Sequence, residues 1–395
     1  MRSLLDARLL VILVTFSILF CYLFLMITQD NWNYSASFWD VDFYRELVAE
    51  FGTELSLDEW DGFLAKRQQL VDQLMVEVRK STILENYGID SYEKFLEAWE
   101  DCFFDAKNLS SEEEEVRREL NRIIFDDKIT TPICFQLQCM DHVCSSRENG
   151  FIFADGESAD KWIAERFADE QNVEYQQLCK RNMTADSVSL LHPAVTETVD
   201  DDFLAMLLLA AIWCFALILP YQIGERLRGI RDIQLCTKTG RNCFRKQAGV
   251  SVVIGLLVGG ILCVVYAILL ARKGAFDFAA CKVSCRIEGL YHWFDMTYTQ
   301  YLVVYALFIL LGSIASALLA YFVGRCAASY IAGVGIAIPT VAALCIGMNF
   351  LGCSPFRDEW ALWSILRACG VPLVCAVCAS IVCILLKRDK ARDIV

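Results

Sequence analysis

The chain has 395 residues, is 56% hydrophobic and 22% charged, and carries a formal net charge of −13. That charge is divided: residues 29–202 hold 39 acidic against 16 basic side chains, a net of −23, which leaves +10 elsewhere. So acidic a polar segment excludes nucleic acid as its partner, and the apolar blocks beside it exclude a chain soluble throughout.

The first apolar window, Leu9–Ile27, is too long for a secretory leader and has no small-residue cleavage site close behind it, so it reads as a retained anchor within residues 1–28. Five further windows reach spanning length: Phe203–Tyr221, Val250–Leu270, Tyr301–Phe322, Ile331–Phe350 and Cys369–Leu386. The predicted fold is an all-α membrane protein. Six transmembrane helices carry a mostly helical, disulfide-bearing outer domain between helices 1 and 2. Basic residues near the helix ends set the expected orientation. Arg2 and Arg8, the segment 222–246, Arg325 and the tail 387–395 fall on the cytosolic side, and both termini with them. Arg272 and Lys273 run against this scheme and are outnumbered. A plasma membrane or endomembrane of a eukaryotic cell is the expected location.

Residues 29–202 form the acidic outer domain. Helices are expected over Phe38–Tyr87, then over Ser91–Phe104, Ser110–Asp127 and Ala159–Lys180. Ser110 and Ser111 before a run of four glutamates suggest a capped start. Thr130–Cys144 reads as the least helical part, and Arg181–Asp201 as a polar connector back to the membrane. Eight cysteines fall on the outer side: Cys102, Cys134, Cys139, Cys144, Cys179, Cys281, Cys285 and Cys353. An even number in an oxidising compartment favours a disulfide framework over the zinc site that Cys139, His142 and Cys144 suggest, so no metal is expected. Asn108 and Asn182 stand in glycosylation sequons, as does Asn33, which lies close to the membrane.

The five-helix part, 203–386, contains the basic segment 222–246. There Ile223, Leu227, Ile230 and Ile233 or Gln234 form an apolar stripe at helical spacing. Such a stripe fits either the inner leaflet or a groove on a partner. Gly255, Gly259 and Gly260, with Gly333 and Gly335, are expected to serve close helix packing. The spanning windows contain almost no ionisable residues, which disfavours an ion pathway. No nucleotide-binding loop and no catalytic constellation occur, so the chain is expected not to be an enzyme.

Pro220 at the end of the second window, Glu225-Arg226 after it and Gln234 nine residues on resemble the coupling segment of A-subfamily ABC transporters, the lipid-exporting type. Ala320–Ile338, with Phe322, Ala327, Ala328 and Gly333, is similar to that family's passage between helices 4 and 5. The resemblance is loose and covers residues 203–386; Gly240 follows Gln234 by six residues, where the family has four. It implies a transport body for lipid or a lipophilic solute, with membrane lipid, a nucleotide-binding domain or subunit and a second transmembrane half as partners. Glu225, Arg226, Leu227, Ile230 and Gln234 would couple to the motor. No cofactor is implied in this chain, and ATP and magnesium would act only through the partner. The family's nucleotide-binding domain does not follow before Val395. This leaves a truncated chain, a motor on another polypeptide, or a relative without ATP coupling. The alternative is a non-transporting multi-pass binding or adhesion protein acting through its acidic outer domain.

Overall fold

A computed structural model describes residues 7–27, 41–104, 110–166, 172–236, 238–284, 293–353 and 361–391. An apolar helix, α1 (Ala7–Phe24), precedes a polar helical domain. That domain contains α2 (Val41–Phe51), α3 (Trp60–Val78), α4 (Thr82–Asn86), α5 (Tyr92–Phe104), α6 (Ser111–Asn121), α7 (Thr130–Glu148), α8 (Gly156–Arg166) and α9 (Val173–Met183). Two short strands, β1 (Glu54–Ser56) and β2 (Ser187–Ser189), pair antiparallel with Leu55 opposite Val188. This pairing closes the domain and returns the chain to α10 (Pro193–Leu227). The rest is helical: α11 (Ile230–Cys236), α12 (Lys238–Arg272), α13 (Tyr298–Cys326), α14 (Tyr330–Gly352) and α15 (Ala361–Ala391).

Five of these helices, α10 and α12 to α15, are long and apolar enough to cross a membrane, so the chain is an all-α, multi-pass membrane protein. The apolar part of α1 is shorter. Its Val11, Ile12, Ile18 and Leu19 are exposed on the protein surface, and the Trp213 indole N–H reaches it by donating to Ser17 Oγ at 2.7 Å. Close packing rests on small residues. A Cβ at Gly255 would come within 2.8 Å of the Ser313 carbonyl oxygen, and one at Gly259 within 2.8 Å of Ser313 Oγ, whereas Gly260 faces open space. At Gly333 a Cβ would meet Ile223, while Gly335 is also open.

Helix starts in the polar domain follow their sequence signals. Ser110 and Glu113 close the capping box at the head of α6. Glu59 accepts from the Ser56 N–H at 2.9 Å, which holds its carboxyl below the usual range. Arg67 of α3 and Tyr92 of α5 both donate to Asp141 of α7 at 2.5 Å and join the three helices.

Four expectations are corrected. Thr130–Glu148 is one continuous helix. Pro132 lies in its first turn, where the missing N–H costs nothing, and Asp127 accepts from the free N–H groups of Ile129 and Thr130. The expected helix over Ala159–Lys180 is two, α8 and α9. The expected polar connector Arg181–Asp201 is mostly structured, because α10 begins at Pro193, ten residues before its apolar run. Pro220 does not end that helix but lies inside it.

Among the described residues no disulfide is formed, and Cys134, Cys144 and Cys281 are free thiols. Burial pushes Cys134 up to about 12 and Cys144 to about 11. On α7 the side chains around Cys139 and Cys144 face the helical core, and a helix does not bring cysteines five apart into bonding geometry. The side chains of Cys102 and Cys285 lie outside the description, as do Asn33 and Asn108. Asn182 is buried, and its amide nitrogen donates to the Leu178 carbonyl at 3.0 Å. The folded domain leaves no room there for a glycan.

Candidate functional site

The segment 222–246 is built from the ends of two long helices and one short helix between them. α10 continues to Leu227 and breaks at Arg228-Gly229. Gly229 has φ +68°, a left-handed conformation that glycine adopts without a Cβ penalty. The seven-residue α11 follows, and then α12.

The expected coupling residues divide into two groups. Glu225 and Arg226 face the body. Arg226 Nη1 donates to the carbonyls of Cys326 and Ala327 at 2.9 and 2.7 Å. Glu225 accepts from Gln247 Nε2 at 2.7 Å. Leu227 and Ile230 face outward, 55% and 36% exposed, and Ile233 is 70% exposed. Gln234 belongs to neither group: its Oε1 is buried without a partner among the described residues. The segment therefore shows an apolar strip to the outside and polar anchors to the inside.

Sequence reasoning missed the anchors on the opposing helices. Arg231 donates to the Arg325 carbonyl at 2.5 Å, and the Tyr330 hydroxyl to the Pro220 carbonyl at 3.4 Å. The Arg325 carbonyl lies in the last turn of α13, where backbone carbonyls lack intrahelical partners. Arg325 itself is buried, 2.5 Å from Asp389 of α15, with its guanidinium 3.7 Å from the centroid of the Phe244 ring. A 64-residue separation hides that pair from any local pattern. The basic side chain at a helix C-terminus was the visible half of the signal.

The opposite end of the bundle holds buried carboxylates. Asp200 and Asp202 lie on α10 immediately before its apolar run begins at Phe203. Asp200 accepts from the hydroxyls of Tyr301 and Tyr305. Asp202 accepts from the Met26 N–H at 2.6 Å and the Tyr266 hydroxyl at 2.9 Å, which ties α1, α10 and α12 together. Beside them a half-open cavity of about 230 Å³ lies between α10, α12 and α13. Its wall is almost entirely hydrocarbon, from Phe203, Met206, Leu270, Leu302 and Ile309.

The polar domain has a smaller cleft of about 180 Å³, lined by Lys80, Glu119, Arg122 and Asp127. Its charges pair with one another, Arg122 with both Glu119 and Asp127. The histidines of this region are desolvated: burial lowers His142 to about 4 and His192 to about 3. His192 Nδ1 accepts from the Ala194 N–H at 3.0 Å and caps α10. Among the described residues no group of three or more His, Cys, Asp or Glu side chains could hold a metal ion.

No family model, curated protein or solved structure matches this chain.

Proposed function

We propose that this chain is the transmembrane part of an ABC-type transporter that moves a lipid or a lipophilic solute, powered by a nucleotide-binding domain outside the chain. The observation that carries the reading is the connector. Leu227 at the end of α10 and Ile230 and Ile233 of α11 present apolar side chains outward, while Arg226 and Arg231 beside them are fixed to the body. A rigidly held apolar strip of this kind suits a partner's groove, because force applied to it passes into α13 and α14 without loss in a flexible loop. The half-open apolar cavity between α10, α12 and α13 suits a lipophilic cargo.

In this reading α1 is a sixth crossing. Its end bonds Asp202 at the polar-domain end of α10, so its start lies at the connector end, in the cytosol with the end of α15. The polar domain is then extracellular or luminal. An impermeant maleimide tests the orientation: Cys236, exposed on α11, should label in opened cells and resist labelling in intact ones.

Function is tested by native purification followed by ATP hydrolysis and lipid-movement assays on the recovered complex. Leu227→Glu with Ile230→Glu should abolish ATPase co-recovery and transport while leaving the thermal midpoint unchanged. Transport that survives this double change, or a complex with no ATPase at all, overturns the proposal. A ligand recovered on the polar domain without a motor would support the adhesion alternative.

A further inference from the structure

The cavity between α10, α12 and α13 has a charged wall. Asp202 lines it together with Tyr266, Tyr305, Thr299 and Cys263, and the rest of the wall is hydrocarbon. The Asp202 carboxylate is buried, and no basic side chain pairs with it among the described residues. Its three bonds, from the N–H groups of Met26 and Ile27 and the Tyr266 hydroxyl, use part of an acceptor capacity of about four lone-pair directions. The Tyr298 hydroxyl, within electrostatic reach of Asp202, is fully buried and has no hydrogen-bond partner among the described residues.

An ionised carboxylate in apolar surroundings is costly unless a cation meets it. Asp389, a buried acid at the far end of the bundle, is matched by Arg325. Here the chain supplies aromatic faces instead. Tyr305 and Phe203 stand edge to face at 5.1 Å, and such rings attract a cation held near them. The volume, about 230 Å³, exceeds the roughly 150 Å³ that accepts benzene in an engineered apolar cavity.

We propose that this cavity binds a lipophilic amine, with the hydrocarbon body between α10, α12 and α13 and the ammonium on Asp202. The proposal does not rest on the transport reading, since a binding site of this kind needs no motor. A neutral amphiphile of the same length would gain only the apolar contact, and an anionic one would be repelled.

The test uses the full chain in a nonionic detergent, dialysed to equilibrium against octylamine, octanol and octanoate, with protein-free micelles as the reference for partitioning. Octylamine should bind saturably and at least tenfold tighter than octanol, with octanoate weakest. Asp202→Asn should bring the amine and the alcohol to equal affinity, and Leu302→Trp, which fills the cavity, should abolish saturable binding of both. Equal affinity of amine and alcohol for the unaltered chain overturns the proposal and leaves a plain hydrocarbon pocket. So does amine binding that survives Leu302→Trp. The amine-to-alcohol comparison needs no variant, so it decides the question even where Asp202→Asn fails to fold.

Discussion

At the connector end of the bundle, charge is buried in opposite pairs and against helix-end carbonyls. Arg325 meets Asp389, and Arg226 and Arg231 meet backbone oxygens. At the other end, Asp200 and Asp202 are buried against tyrosine hydroxyls and the backbone N–H groups of Met26 and Ile27. Paired charge locks helices to one another and asks for nothing from outside. Charge met by neutral donors keeps unspent attraction for a cation. One end of the molecule is built as a clasp, and the other as a receptacle.

The sharpest way to break this contrast is to unpair the clasp. Arg325→Met should destabilise the protein by about 3–5 kcal/mol, because Asp389 is left charged and buried, whereas Arg325→Met with Asp389→Leu should cost far less. Unfolding midpoints of the three proteins in detergent check this. Equal losses for single and double variants would mean that the pair is not coupled.

Protonation breaks the other end. His192, the cap of α10 packed against Tyr44, has its folded value lowered to about 3 by burial, against about 6.5 unfolded. The lowered value means that its contribution is complete above pH 6.5. It is lost as pH falls from 6.5 toward 3, at up to about 1.4 kcal/mol per unit. His142 has the same sign. Thermal midpoints measured from pH 7 to pH 4 should fall, and His192→Asn, which keeps a cap acceptor, should flatten part of that slope.

Packing between the two ends is tested by Gly255→Ala. The new Cβ meets the backbone of α13 and should cost about 1–3 kcal/mol. Gly260→Ala, in open space, should instead stabilise α12 by roughly 0.5–1 kcal/mol. In the polar domain, Ser110→Ala should remove the α6 cap at a similarly small cost of about 1 kcal/mol.

The five long apolar runs, α1 and the capped helix α6 could be read from composition and spacing, since each rests on residues close in sequence. The Asp200 and Asp202 site could not. An apolar window starts at Phe203, and only Pro193 and the cap at His192 reveal that the helix begins earlier. The connector was legible as a basic, apolar-striped segment. Which of its residues turn inward was not, because Cys326 and Ala327 receive Arg226 through their carbonyls, and a carbonyl carries no sequence signature. Thr130–Glu148 was misread because Pro132 and Thr131 suggest extended chain, yet at a helix start both are tolerated.

Helix α13 packs against α10, α12, α14 and α15 at once. During synthesis it emerges after α10 and α12, which carry the Asp200 and Gly255 surfaces made for it. Until it arrives those surfaces face lipid or the insertion machinery. The bundle thus acquires its centre late in biogenesis, and a ribosome stalled before Tyr298 would leave α10 and α12 without the helix that packs against both.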